Sequence, residues 1–172
     1  MNVTTTANKS EEDFMSNEKH KDNDNNSETG ELVIESRFGE ITVNTKSSIY
    51  FPQGLLGLPD NLHFCLTDIP SKNMGQFKLL QCLNDVTLSF VVLPVDIDNS
   101  IIDREDIDEC CNLAKIEVDN LLMLLVVSVQ RTPGDVKVTA NIRAPIIVDV
   151  NDKAALQYVF PNNKYQISQR LN

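Results

Sequence analysis

The sequence contains no tryptophan, only two histidines, and aromatic residues at 6% of its 172 positions. Valine, isoleucine and leucine must therefore fill most of whatever core the 41% hydrophobic content builds. Positive charge is also scarce, and the formal net charge is −10. That sign speaks against direct nucleic-acid binding, because phosphate recognition depends on lysine and arginine displacing counterions. It speaks equally against an anionic membrane surface. It suits a basic protein partner, and it also suits plain solubility.

Long apolar runs are missing as well. The longest is Leu121–Val127, far short of the roughly 20 residues a membrane helix needs. No basic stretch followed by an apolar one opens the chain, so a cytoplasmic location is expected. The four cysteines, Cys65, Cys82, Cys110 and Cys111, form no CxxC pair. With His20 and His63 the only imidazoles, no zinc spacing emerges, and buried free thiols in a reducing compartment are expected.

Catalytic signatures are equally sparse. Phosphate-cradling GxGxxG and GxxxxGK[ST] loops are absent. His63 and Cys65 stand two apart on an expected strand, pointing the same way without natural contact, which is poor geometry for a nucleophile and its base. Asp96-Ile-Asp98-Asn-Ser100 begins like a calcium loop, yet Ile101 and Ile107 stand where glycine and glutamate are required. No catalytic residue, metal site or cofactor is therefore assigned.

Residues 1–30 are almost free of large apolar groups apart from Val3, Phe14 and Met15, and read as a disordered tail. From residue 31 to 172 the pattern is that of one mainly β domain. Short alternating segments are punctuated about every ten residues by turn residues. The expectation is a compact antiparallel β-barrel-like fold with one short helix. Expected strands lie at Leu32–Ile34, Phe38–Val43, Ser48–Phe51, Phe64–Thr67, Gly75–Leu83, Ser89–Leu93 (ended by Pro94), Leu121–Gln130, Val136–Ile142, Ile146–Val150 and Ala154–Phe160. Ile107, Cys110, Cys111 and Ala114 recur at helical spacing, which predicts a helix from about Arg104 to Leu113 with Asp103 as its N-cap.

Two segments are more specific than their surroundings. In Phe51-Pro52-Gln53-Gly54-Leu55-Leu56-Gly57-Leu58, proline and glycine set a shaped loop. In Asn141-Ile-Arg-Ala144-Pro145-Ile-Ile-Val-Asp149, the proline marks a bulge or an edge, and Asn141 has the side chain to tie down nearby backbone.

These segments, in this order, resemble the FPxGLxGF and NLxAPIVIN stretches of the flagellar assembly factor FliW family. Arg37-Phe-Gly-Glu40, Leu88-Ser-Phe-Val-Val, Gln157 and Tyr165 fit the same pattern, so the likeness spans about residues 31–170. Leu58 stands in place of an aromatic, Ile142 in place of leucine, Asp149 in place of asparagine, and Ser168 where a basic residue is usual. The resemblance implies a non-enzymatic regulator, monomeric when free. Such proteins bind the RNA-binding translational repressor CsrA allosterically and relieve repression of flagellin synthesis; flagellin in turn sequesters them. A flagellin-binding chaperone without CsrA antagonism is the alternative, and a small hydrolase on a β-barrel is a third reading.

On this view Asp98, Asp103, Glu105, Asp106 and Glu109 would steer a basic partner, unless they form only a solvated helix face. Leu55, Leu56 and Leu58 would offer an apolar loop to a flagellin helix, unless the core takes them. Phe51, Pro52, Gly54, Gly57, Asn141, Ala144 and Pro145 are expected to shape the scaffold.

Overall fold

The computed structural model describes residues 30–71, 74–161 and 163–171. The expected tail, Gly30 apart, lies outside the described residues. Among the described residues there are eleven strands: β1 (Glu31–Ser36), β2 (Gly39–Asn44), β3 (Ile49–Tyr50), β4 (His63–Asp68), β5 (Lys78–Cys82), β6 (Ser89–Val95), β7 (Leu121–Thr132), β8 (Asp135–Ala140), β9 (Ile146–Asp149), β10 (Ala154–Gln157) and β11 (Gln169–Arg170). The single α-helix among the described residues, α1 (Arg104–Ala114), links β6 to β7.

Backbone pairing closes a ring. It runs β7-β6-β5-β4-β3-β10-β9, and β9 returns to the first half of β7. The second half of β7 leaves the ring to pair with β8, to which β11 is added. All pairings between strands are antiparallel except β10 with β3, where Ala154 stands opposite Tyr50. Closure removes most of the exposed edge that an open sheet would leave.

Strand alternation sorts the apolar residues onto two faces. Phe64, Leu80, Cys82, Val92, Leu124, Ile146, Val148 and Ala155 form one cluster with Phe51 and Leu55. Their neighbours Cys65, Leu79, Val91, Met123, Leu125 and Ile147 belong to a second cluster with residues from α1 and the β1–β2 hairpin. A ring this small has room inside for side chains alone. The cluster holding helix and hairpin is therefore the outer one, and the first is the barrel interior. Burial on both faces explains why β7 reads as an unbroken apolar run; each fully buried leucine or valine contributes about 1.5–3 kcal/mol.

Helix α1 spans the expected residues plus one, burying Ile107, Cys110 and Cys111. Lys115 ends it at φ 60, in the left-handed conformation common at helix C-termini. Pro94 does not end β6: it pairs with Leu124 inside the strand. Proline is tolerated there because β5 pairs with β6 only as far as Val92, so the side lacking an N–H faces no neighbouring strand. The strand expected through Ile142 stops at Ala140, and β10 stops at Gln157 rather than Phe160. The two-residue β11 carried no periodic signal in the sequence.

Candidate functional site

The two motif segments meet at one end of the barrel. In the first, Gly54 N–H donates to the Phe51 carbonyl at 3.0 Å, closing a turn with Pro52 in second position. Gly54 adopts φ 64, and a Cβ there would stand 2.2 Å from the Leu58 carbonyl oxygen, so only glycine fits. Leu58 N–H then donates to the Leu55 carbonyl at 2.8 Å, and Gly57 at φ 83 occupies the third position that demands glycine. The paired turns drive Phe51 (0% exposed) and Leu55 (5%) into the barrel and leave Leu56 (62%) outside. Of the three leucines, only Leu56 is an exposed large hydrophobic; Leu58 packs partly against the interior cluster, and Leu55 offers no surface.

The second segment is a bulge. Ala140 lies opposite Val127 and Ile146 opposite Leu124, so five residues on one strand span the space of two on the other. Asn141 Oδ1 accepts from Ala144 N–H at 3.0 Å and holds the excursion closed. Ala144 is buried, and the Pro145 carbonyl accepts from Tyr158 N–H at 2.9 Å. One side chain joins the two segments: Gln157 Nε2 donates to the Ala144 carbonyl and its Oε1 accepts from Leu56 N–H, both at 3.1 Å.

The acidic residues occupy a different place. Asp96 caps a short 3-10 turn, accepting from Asp98 N–H at 3.1 Å. Asp103 takes the N-cap position of α1 but makes no side-chain cap bond; its carboxylate pairs instead with Lys164. Asp106 is the most enclosed acid, pairing with Lys164 Nζ at 2.8 Å and accepting from the Tyr165 hydroxyl. The same hydroxyl accepts from Asp103 N–H at 3.0 Å. Bonding to Lys164, then to Tyr165, holds the Asp106 carboxyl below the usual carboxylate range. Burial, then the bond to Asp106, pushes the Tyr165 hydroxyl up. Asp103 and Asp106 are thus joined to the C-terminal segment, not presented free.

Arg104 lies 3.8 Å from Asp98 and 2.9 Å from Asp108. Glu105 and Glu109 are exposed on the helix with no ion pair among the described residues. The expected acidic set therefore divides into an anchored pair, Asp103 and Asp106, and an outward group led by Glu105 and Glu109. Lys164 is the functional neighbour that sequence reasoning missed. It lies 58 residues beyond Asp106, and no local spacing announces the contact.

The cysteines are buried and free. Burial raises the Cys65 and Cys111 thiols and pushes Cys110 up to about 12, so these groups stay protonated and weakly nucleophilic. Cys65 Sγ donates to the Asn44 carbonyl at 3.4 Å, while the His63 ring lies against Tyr50, with centroids 5.2 Å apart. The two are not brought together as a nucleophile and base. Among the described residues no group of three or more His, Cys, Asp or Glu side chains could hold a metal, and no helix is long and apolar enough to cross a membrane.

A small mixed-pairing β-barrel bearing an acidic helix, with two shaped loops joined by a glutamine, is the class of protein these features define. A family model described as FliW protein matches residues 32–171, and the chain belongs to the FliW family. It is 32% identical to the flagellar assembly factor FliW of Geotalea uraniireducens (strain Rf4), over 77% of this chain and 79% of that one. It is also 32% identical to the FliW of Clostridium beijerinckii, over 77% of this chain and 92% of that protein. A crystal structure of a flagellar assembly factor FliW superposes with a TM-score of 0.60 at 22% identity, covering 83% of this chain and 96% of that one.

Proposed function

We propose that this protein is a cytoplasmic flagellar assembly factor that acts by binding other proteins and catalyses no reaction. It binds CsrA away from the RNA-contacting surface, relieving repression of flagellin synthesis, and flagellin competes for it. The observation that carries the reading is the match to the FliW family over residues 32–171. The site geometry supports it. The exposed carboxylates of Glu105 and Glu109, with Asp98 nearby, supply a negative field that steers the approach of a partner made basic by its RNA-binding role, without docking on its RNA-contacting surface. Leu56, exposed at the tip of a loop fixed by Gly54, Gly57 and Gln157, is the apolar contact assigned to flagellin.

The test is an RNA mobility shift. Purified protein added to CsrA on a flagellin leader RNA releases the RNA, and added flagellin restores the complex. Failure to release RNA, with flagellin still bound, would replace this reading with that of a flagellin chaperone.

A further inference from the structure

The β1–β2 hairpin is a separate two-stranded sheet laid on the outside of the barrel. Alternation turns Ile34, Ile41 and Val43 onto the barrel wall and leaves Val33, Glu35, Glu40 and Thr42 outside. Thr45 N–H donates to the Gly30 carbonyl at 2.7 Å, which sets the phase of the ladder: Leu32 with Val43 and Ile34 with Ile41 are the hydrogen-bonded pairs. The backbone groups of Val33 and Glu35 on β1, and of Glu40, Thr42 and Asn44 on β2, therefore point away from the hairpin.

The two edges differ. On β2, the Thr42 carbonyl accepts from the Thr67 hydroxyl at 3.3 Å and the Asn44 carbonyl from Cys65 Sγ at 3.4 Å, so that edge is seated on β4. On β1, the N–H and C=O groups of Val33 and Glu35 have no hydrogen-bond partner among the described residues, and both residues are exposed. With β2 anchored, β1 is held extended as a preformed template for an added strand. Charge narrows what that strand can be. Glu35 stands directly opposite Glu40, an arrangement of like charges that weakens a β-pair, and neither forms an ion pair among the described residues. Leu32 and Val33 add exposed apolar surface beside them.

We propose that β1 is a docking edge for an extended basic segment of another protein. The segment adds antiparallel to β1, with a β-branched residue opposite Val33 and a lysine or arginine opposite Glu35. The residue opposite Val33 turns its N–H and C=O toward β1, and its two neighbours turn theirs away. The basic side chain, two positions before it, pairs with Glu35 and relieves the repulsion from Glu40. An apolar residue one position after it lies beside Leu32. A second copy of β1 in the register centred on Val33 would set Glu35 opposite the other copy's Glu31, so like charges oppose self-pairing. This edge belongs neither to α1 nor to the motif loops, and the assignment does not depend on the partners named above.

The probe is a fluorescein-labelled peptide with blocked ends, Ser-Lys-Thr-Val-Ile-Lys-Ser, titrated into the full-length chain and read by anisotropy. It binds saturably, and at saturation it slows exchange of the Val33 and Glu35 amides by about tenfold. N-methylation of its valine abolishes binding, whereas N-methylation of its threonine leaves binding intact. Glu35→Lys with Glu40→Lys binds the peptide about tenfold more weakly and prefers a peptide with glutamate in place of both lysines, a reversal that only a folded variant can show. Absence of saturable binding, equal affinity for the two N-methyl peptides, or protection confined to other segments would overturn the proposal. Protection of Val33 and Glu35 without peptide, growing with protein concentration, would assign the edge to a second copy and overturn it likewise.

Discussion

The two motif segments and the acidic helix solve opposite problems with opposite means. At the barrel end, Phe51–Leu58 and Asn141–Pro145 depend on backbone geometry: a positive φ at Gly54 and Gly57, a three-residue excess at the bulge, and one glutamine bonded to both. At the helix, position is set by side chains that arrive from far along the chain, since Tyr165 and Lys164 bind Asp106 across more than fifty residues. The difference separates scaffold from surface. The most recognisable residues are mostly buried and shape the barrel, whereas Glu105 and Glu109 are exposed and belong to a charged stretch whose long-range contacts the local pattern does not announce.

Disrupting the scaffold side should have the largest effect. Phe51→Ala empties a fully buried site between Phe64 and the strand walls and should cost about 3–5 kcal/mol, read from denaturant unfolding. Gly54→Ala should cost about 2–3 kcal/mol from the left-handed backbone and the collision with the Leu58 carbonyl.

The junction between the C-terminal segment and α1 should respond less. Tyr165→Phe keeps the ring against Phe160, 4.8 Å away between centres, but removes the bonds to Asp106 and Asp103. A loss of about 1–2 kcal/mol is expected. The pH dependence has a defined sign. The Asp106 carboxyl is lowered on folding, so its stabilisation is complete above the ordinary value of 3.8 and is lost as pH falls through the depressed folded value. Asp106→Asn should therefore lose stability at neutral pH and show a shallower decline than the parent below about pH 4, measured by thermal unfolding across pH.

Much of this fold was legible from alternation and punctuation. The β1–β2 hairpin, the Pro133-Gly134 reversal between β7 and β8, and α1 all follow local rules that tertiary contacts do not overturn. Pro94 misled because its tolerance depends on where β5 ends, which is non-local. The extra pairing of β7 with both β8 and β9, which closes the ring, was likewise invisible: both partners read as ordinary strands. At the candidate site, Asp98, Asp103, Glu105, Asp106 and Glu109 were legible as a charged stretch. Which of them Lys164 would engage was not, because ion pairing across distant segments leaves no periodicity. The burial of Leu55 beside the exposed Leu56 follows from the two turns and becomes readable only once both are in place.

The smallest expected change in stability carries the most direct functional test. Glu105→Lys with Glu109→Lys should alter stability by no more than about 0.5 kcal/mol per exposed site, while removing the charge assigned to partner capture. Association with purified CsrA, followed by stopped flow at several salt concentrations, should be about tenfold slower for this variant at low salt, and its salt dependence should flatten. A parent and variant with the same association rate and the same salt slope would contradict the acidic helix as the surface that draws the partner in.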